Sequence, residues 1–339
     1  MASGCWIQRR LPKPTRVFDS LWYLAAERQR IFRARLRSMP DPLTTDVVLQ
    51  DFKFTNAYRA SDRTSQYLIR HVIYDHKRPW RDTFLRILFF KLFNRIETWE
   101  AVTAELGEIT TATFDIETIG SLLTDAMSRG DRIYSAAYIM PSPQSFGCKF
   151  KHENHLRLLA AMLADDADER VADARSMGEV FDILVSYPSI GPFLGYQLVT
   201  DLNYASDLSF SEDDFVVPGP GAIDGLMKCF SDNGDLSPSE IIRWSMETQA
   251  ERFSEREIAF EDLWDRPLQL IDCQNLYCEV DKYARARHPE FVGRTKRRRI
   301  KQRFRPRDKP VTAWYPPKWG INARVERWLT AAPRVAANA

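Results

Sequence analysis

One stretch of the chain concentrates polar side chains that could bind a phosphate or the edge of a base. On a helix, Asn56, Arg59, Arg63 and Gln66 would fall on adjacent turns of one face. Guanidinium and amide groups offer fork-like donors that suit phosphates and base edges. The alternative is internal ion pairing, in which Asp62 pairs with Arg59 or Arg63 at helical spacing.

Two further groups of charged residues lie in predicted helices. Asp281 and Lys282 fall in a helix expected over 267–286, where they could position chemistry or form an ion pair at the edge of the core. The N-terminal helix, expected over 18–37, carries five arginines that form either a solvated face or a surface for phosphates. These are Arg28, Arg30, Arg33, Arg35 and Arg37.

A Tyr-Pro-Ser-Ile-Gly-Pro-Phe stretch predicts a hairpin between two helices. Pro188 ends the first helix, Gly191 supplies a position that is free to adopt positive φ, and Pro192 suits the first turn of the next helix. Backbone N–H groups at such a helix start can bind a phosphate. We therefore predict DNA contacts from Ser189, Gly191 and Phe193, although an ordinary corner between helices would bind nothing.

A Pro-Gly-Pro-Gly sequence precedes a helix that is expected to begin at about Ala222. Prolines and glycines exclude a continuous helix there, and the glycines would let a phosphate approach the backbone closely. We predict DNA contacts from Pro218, Gly219 and Gly221, with a tight connection between helices as the alternative.

A dense basic run occupies residues 294–309, and runs of this kind are usually nucleic-acid-binding tails or nuclear import signals. Phosphate neutralisation would make its affinity for DNA depend on salt. Trp314 and Trp319 follow and could stack on bases or dock the tail. The predicted DNA contacts of this run are Lys296, Arg297, Arg298 and Arg299.

Composition places the 339-residue chain among globular proteins, with 44% hydrophobic and 28% charged residues and a net charge of +2. No apolar run approaches a membrane span, so we expect no membrane association. Five scattered cysteines predict a reducing compartment. Cys148, His152 and His155 lack a fourth ligand, so no metal site is predicted. The expected localisation is nuclear in a eukaryote and cytoplasmic otherwise.

Helical periodicity dominates the chain and predicts an all-α, multi-helix globular bundle. Besides the segments above, helices are expected at 80–94, 99–106, 115–129, 131–140, 152–164 and 237–254, the first of them buried all round. The expected domains are a basic arm and helix at 1–44, a helical DNA-modification domain at 45–290 and a partly irregular basic tail at 291–339.

Four motifs together resemble one family. They are Phe-Thr-Asn-Ala-Tyr-Arg-Ala-Ser-Asp-Arg at 54–63, the hairpin at 187–193, the Pro-Gly-Pro-Gly-Ala stretch at 218–226 and Cys-Glu-Val-Asp-Lys-Tyr at 278–283. The chain resembles the helical domain of 5-hydroxymethyl-deoxyuridine DNA kinases and is similar to the α-glutamyl/putrescinyl-thymine pyrophosphorylases. The resemblance spans about residues 45–290. It implies a fold related to helix-hairpin-helix DNA glycosylases and work on a 5-hydroxymethylpyrimidine in DNA.

The resemblance assigns handling of the modified base to six residues: Asn56, Arg59, Asp62, Arg63, Asp281 and Lys282. In a pyrophosphorylase-like reaction, an amine would displace pyrophosphate from an activated hydroxymethyl group, with arginines holding the leaving group. The alternatives are a reader of modified DNA without catalysis and a glycosylase that uses Asp213 or Asp214. A swung-out base could be held by Tyr58, Phe193 or Tyr196.

Kinases of this family add a P-loop domain to the helical domain. The sequence contains no GxxxxGK[ST] motif, so we expect no ATP-dependent kinase activity from these residues alone. A separate P-loop kinase is the protein partner that this departure suggests. No bound cofactor is predicted.

Overall fold

The structure is a computed structural model that describes Trp6 and residues 9–136, 140–305 and 311–331. Within these residues the fold is all-α, as predicted, with fifteen α-helices and one two-stranded antiparallel sheet. The strands are β1 Lys13–Pro14 and β2 Phe230–Asp232. The helices are α1 Arg16–Leu36, α2 Val47–Asp51, α3 Arg63–Tyr67, α4 Trp80–Phe93, α5 Ile96–Leu106, α6 Ile116–Ser128, α7 Lys151–Ala164, α8 Ala167–Ala172, α9 Met177–Val185, α10 Pro192–Leu202, α11 Pro220–Cys229, α12 Pro238–Glu247, α13 Gln249–Glu255, α14 Leu270–Arg287 and α15 Asn322–Ala331.

Spatial contacts divide the chain into two compact units. The first unit combines the residues up to Arg63 with those from Glu212 onwards, and the second is the continuous segment 64–211. The first unit therefore contains α1 and α2 together with α11 to α15. The division of the sequence into three domains stays a prediction.

Helix α14 is the centre of the first unit, and α1, α11 and α12 pack against it. The closest approach is to α11, where a Cβ atom on Gly225 would lie 2.0 Å from the carbonyl oxygen of Tyr277. Aromatic rings fill the space around these helices, and Phe18 stacks on Trp244 with 5.8 Å between ring centroids. Such close packing fixes the side chains that α14 presents.

Helix α4 of the second unit is buried from Thr83 to Phe93, as its nearly all-apolar sequence predicts. It ends at Asn94, which takes the left-handed conformation. Within the same unit, α9 and α10 form the predicted helix pair. A Cβ atom on Gly195 of α10 would lie only 2.6 Å from a methyl group of Val185.

Three sequence expectations about helices were wrong in detail. Residues 131–136 are not helical, while 137–139 of that expected helix lie outside the described residues. The helix expected over 237–254 is two helices that meet at Thr248. Residues 53–58 are not helical either, and a 3₁₀ turn at Arg59–Ser61 precedes α3.

No helix in the described part of the chain has the length and apolar character needed to cross a membrane.

Candidate functional site

The polar stretch around Asn56 doubles back on itself instead of forming one helix face. The backbone N–H of Asn56 donates to Oδ1 of Asp62 at 2.9 Å, and its Nδ2 donates to the carbonyl of Ser61 at 2.8 Å. Asn and Asp side chains often bond nearby backbone groups in this way, at the expense of a helix. The result brings Asn56 and Asp62 together, although not on successive helical turns.

Arg28 of α1 contacts this turn through two hydrogen bonds. Its Nε donates to the carbonyl of Thr55 at 2.8 Å, and a terminal nitrogen donates to Oδ1 of Asn56 at 3.0 Å. The side chain is buried, and burial lowers the pKa of Arg28 to about 10. It therefore stays positive at neutral pH and fixes the extended backbone beside Asp62.

Helix α14 closes the other side through Glu279 and Lys282. Oε2 of Glu279 accepts from the backbone N–H of Thr55 at 2.9 Å, and Nζ of Lys282 lies 2.7 Å from the same oxygen. Lys282 also sits over the ring of Phe54, 4.4 Å from its centroid. Both charged side chains remain partly exposed, at 13% for Glu279 and 17% for Lys282. They are held in place and still accessible.

We refer to these residues as the Asp62 cluster, and its members are Arg28, Thr55, Asn56, Asp62, Glu279 and Lys282. Burial raises the pKa of Asp62 from 3.8 to about 6, and the negative charge of Glu279 raises it further. The Asn56 N–H and the charges of Arg28 and Arg59 oppose this rise. A carboxyl group that titrates near neutral pH can exchange a proton with a substrate.

One polar atom of the cluster is buried without a hydrogen-bond partner within the described residues, the Oγ1 of Thr55. It belongs to the residue that precedes Asn56, whose backbone N–H donates to Oδ1 of Asp62. Buried polar groups are usually hydrogen-bonded, so such an atom marks a place where a ligand could bind.

Of the six residues that the sequence singled out for catalysis, three belong to the Asp62 cluster, namely Asn56, Asp62 and Lys282. Arg59 adjoins the cluster. Arg59 is buried, its N–H donates to Asp272 at 2.7 Å, and its charge acts on Asp62. Arg63 directly follows Asp62 in the sequence and is exposed at the start of α3.

Asp281 lies on a different side of α14 from Lys282. Its Oδ1 is 2.7 Å from Nζ of Lys228 on α11, and both side chains are almost fully buried. Arg285 forms a second ion pair with Asp281. This arrangement is the ion pair considered as the alternative for Asp281, and it separates Asp281 from the Asp62 cluster.

Sequence reasoning missed Thr55 and Glu279, and it did not link Arg28 to Asn56. Each of these residues joins the site through a contact with the backbone of residues 55–56. Helical periodicity carries no signal for such a contact. The motif at 278–283 contains Glu279, although the sequence analysis predicted a role for Asp281 and Lys282 and none for Glu279.

Tyr58 was considered as a holder of a swung-out base, but its hydroxyl is engaged in the interior. It accepts from the N–H of Leu263 at 3.1 Å and donates to the carbonyl of Arg266 at 2.9 Å. Tyr196 is also buried, and Phe193 is half-buried. Tyr58 and Tyr196 thus contribute to the interior of their units.

The hairpin has the expected proline positions and a different backbone geometry. Gly191 caps α10 with φ of −76°, and Ser189 takes the left-handed conformation with φ of 66°. The glycine is exposed, and a Cβ atom there would meet nothing within 4 Å. The start of α10 is therefore open, and phosphate binding by Ser189, Gly191 and Phe193 stays a prediction.

The Pro-Gly-Pro-Gly stretch is partly packed against the rest of the first unit. Gly219 is buried and caps α11, while a Cβ atom on Gly221 would lie 3.2 Å from Sγ of Cys278. These glycines allow α11 to approach α14. DNA contacts from Pro218, Gly219 and Gly221 stay a prediction.

The described part of the basic run is fixed to the first unit. Asp224 of α11 accepts from the N–H of Thr295 at 3.0 Å. Further along, the N–H of Lys53 donates to Gln302, and the N–H of Phe304 donates to Asp51. Residues 306–309 lie outside the described part. Up to residue 305, the segment is held at both ends.

The C-terminal aromatics dock on the first unit, as one of the two sequence alternatives predicted. Tyr315 is fully buried and shares a hydrogen bond of 2.9 Å with Ser61. Arg33 of α1 lies over Trp264, and Arg37 lies over Trp328. The arginines on this face of α1 thus help to anchor the chain end.

His152 and His155 hydrogen-bond to nearby groups in the second unit. Nε2 of His152 lies 2.9 Å from the hydroxyl of Thr124, and Nδ1 of His155 lies 2.8 Å from that of Tyr134. The described residues contain no group of three or more histidine, cysteine or acidic side chains arranged for a metal ion.

Comparison with known proteins supplies an independent result. The family model for the helical domain of 5-hmdU DNA kinase matches residues 15–293. A curated 5-hmdU DNA kinase from Bacillus phage SP10 is 24% identical over 300 residues. That match covers 81% of this chain and 46% of the relative, so the chain spans about half the length of that relative. No solved structure matches the chain. The phage origin of the relative lends no support to the nuclear localisation considered above.

Proposed function

Because the chain belongs to the family of 5-hmdU DNA kinase helical domains, we propose that it acts on 5-hydroxymethyluracil in DNA. The Asp62 cluster is the part of the molecule that would handle the hydroxymethyl group. DNA containing the modified pyrimidine is the substrate in this proposal. The curated relative is named for activity on such DNA, which supports the choice of substrate.

The position and ionisation of Asp62 carry the proposal. Its pKa of about 6 leaves the carboxylate mostly ionised at pH 7 to 8, yet close enough to neutrality to accept a proton. The Asp62 carboxylate and the buried, unpaired Thr55 hydroxyl can both bond a hydroxymethyl group. Thymine lacks that hydroxyl, so it would leave these polar atoms unpaired and would bind less well.

We further propose a pyrophosphorylase-like transfer on an activated hydroxymethyl group. The nitrogen of an amine attacks the methylene carbon, the bond from that carbon to oxygen breaks, and its electron pair leaves with pyrophosphate. Asp62 takes the proton that the nitrogen loses. Lys282, Arg59 and Arg63 would stabilise the departing negative charge. In this scheme the activation by ATP belongs to a separate P-loop kinase.

The decisive experiment is mass spectrometry of nucleosides after incubation of the protein with DNA. The substrate is a duplex that carries 5-hydroxymethyluracil or its pyrophosphorylated form, with a primary amine added. A nucleoside in which the amine has replaced the pyrophosphate supports transfer. Free base would indicate a glycosylase, and an unchanged nucleoside with selective binding would indicate a reader.

The Asp62→Asn variant tests the assigned site against a matched control. It should lose at least about a hundredfold in transfer rate, in the range by which general-base residues contribute. Glu27→Gln is the control, because Glu27 is a largely buried carboxylate next to Arg28 that pairs with Arg30 outside the cluster. Equal activity of the two variants would remove Asp62 from the mechanism.

A further inference from the structure

An arginine-lined groove of about 360 Å³ lies beside the C-terminal half of α14. We call it the arginine groove, and its charged and aromatic lining comprises Phe52, Arg285, Arg298, Arg299 and Arg303. A smaller cavity shares Arg285 and Arg298 and adds Arg297. The groove volume is at the low end of the range for ligand sites and suits a fragment no larger than a nucleotide.

The backbone that carries these arginines is fixed on both sides of them. Asp224 holds Thr295 at one end, and residues 51–53 pair with 302–304 at the other. Arg35 of α1 adds a contact with the ring of Phe304, 5.0 Å from its centroid. Because the segment is already ordered, a ligand that binds it has less conformational entropy to remove.

The charge of the groove is incompletely neutralised. Arg285 and Arg303 pair with Asp281 and Asp51, whose side chains are not part of the lining. Arg298 and Arg299 form no ion pair with any described residue. Four guanidinium groups around one small groove repel each other and create a positive potential that an anion would relieve.

We infer that the arginine groove binds the phosphates of one DNA strand, next to the nucleotide that the Asp62 cluster takes. This inference rests on the proposed function. Two connections join the groove to the cluster. Phe52 begins the segment that continues to Thr55 and Asn56, and Ala286 of the groove lies seven residues after Glu279 on α14.

The spacing along α14 fits a strand that runs between the two places. Seven residues complete about two helical turns, so Glu279 and Ala286 lie on the same face, about 10 Å apart. Stacked nucleotides advance about 3.4 Å each along one strand. The groove would therefore bind phosphates about three nucleotides from the modified base, and fewer if the strand is extended.

The test compares the double charge reversal Arg298→Glu/Arg299→Glu with the single reversal Lys301→Glu. Lys301 is exposed on the same fixed segment and does not line the groove. Affinity is measured for thymine and 5-hydroxymethyluracil duplexes of identical sequence, over a range of salt concentrations. The double variant should weaken both by at least tenfold at low salt and reduce the salt slope by about 1.5. Lys301→Glu should change the slope by less than about 0.5.

The outcomes separate this inference from the proposed function. The groove is not the phosphate site if the double variant keeps the salt slope of the unsubstituted protein. The same conclusion follows if Lys301→Glu reduces the salt slope as much as the double variant does. Preference for 5-hydroxymethyluracil depends on the Asp62 cluster, so it should persist in the double variant. If the unsubstituted protein shows no preference for 5-hydroxymethyluracil, the proposed function is contradicted. The salt slopes then still show whether the arginine groove binds phosphates. Circular dichroism and the neutral pair Arg298→Gln/Arg299→Gln guard against misfolding, since the neutral pair removes the same two phosphate contacts and should also reduce the slope by about 1.5.

Discussion

Two sides of α14 carry charged residues that are neighbours in sequence and have different surroundings. On one side, Asp281 meets Lys228 of α11 in an ion pair whose side chains are 2% and 1% exposed. On the other side, Glu279 and Lys282 form an ion pair that retains 13% and 17% exposure beside the extended residues 54–56. One pair is sealed between two helices, and the other borders an open polar cluster.

The difference follows from helix geometry. Successive residues of an α-helix are separated by about 100° around the axis, so residues 279 and 281 point to nearly opposite sides while 279 and 282 share one. Glycines at 221 and 225 bring α11 against the side of Tyr277, Cys278 and Asp281. A charged side chain on that side forms an ion pair inside the protein and stabilises the fold. A charged side chain on the other side is accessible to a ligand.

The largest effect should come from breaking the sealed pair. Asp281→Ala leaves Lys228 charged in the interior, and losing one partner of a buried pair costs about 3–5 kcal/mol. We expect the unfolding free energy, measured by urea titration, to fall by that amount. Arg285 loses its partner as well, which adds to the loss.

A double replacement provides the control for that experiment. Lys228→Met combined with Asp281→Leu removes both charges and keeps apolar volume, so it should recover most of the lost stability. If Asp281→Ala alone costs less than about 1 kcal/mol, the interior placement of the pair is contradicted.

Helical periodicity was sufficient to predict most of the fold. The all-α class follows from spacing alone, and the nearly all-apolar sequence of α4 predicted its burial correctly. One error occurred where side chains bond to nearby backbone. Asn56 and Asp62 hold residues 53–58 out of an α-helix. Spacing cannot anticipate such local competition.

The candidate site was only partly predictable for a related reason. Asn56, Arg59 and Asp62 are close in sequence, so a motif could indicate them together. Arg28 and Glu279 reach the same backbone from helices far away in the chain. Nothing in their own neighbourhoods distinguishes them from solvated charges. The basic run likewise resembled a tail, because its pairing with residues 51–53 involves backbone groups.

The next largest effect concerns Asp62. Its side chain is half-buried, so its exposure lies between that of the sealed Asp281–Lys228 pair and that of an open surface. Its pKa rises from 3.8 to about 6 on folding, so the folded state holds more protons between these values. Stability should therefore fall as pH rises from about 4 to 6. Asp62→Asn removes this cost and should be more stable than the unsubstituted protein at pH 7.5, by up to about 3 kcal/mol.

Thermal melts at pH 4 and pH 7.5 measure this difference. Both proteins should melt alike at pH 4, where Asp62 is protonated in the folded state and approaches neutrality in the unfolded chain. The transfer rate of the unsubstituted protein should decline below about pH 6 as Asp62 gains its proton. Equal melting temperatures at pH 7.5 would mean that Asp62 is not held in the environment described.

The smallest change in stability should follow Glu279→Gln, which sharpens the comparison because its chemical effect should be large. Glutamine can still accept from the Thr55 N–H, and the pair with Lys282 is a partly exposed contact worth about 0.2–1 kcal/mol. Removing the charge lowers the pKa of Asp62, whose proton affinity Glu279 now raises. We expect unchanged folding, a pH profile displaced to lower pH and weaker selectivity for 5-hydroxymethyluracil. A variant that loses as much stability as Asp281→Ala would show that both sides of α14 are structural, and the availability of the Glu279 side would be refuted.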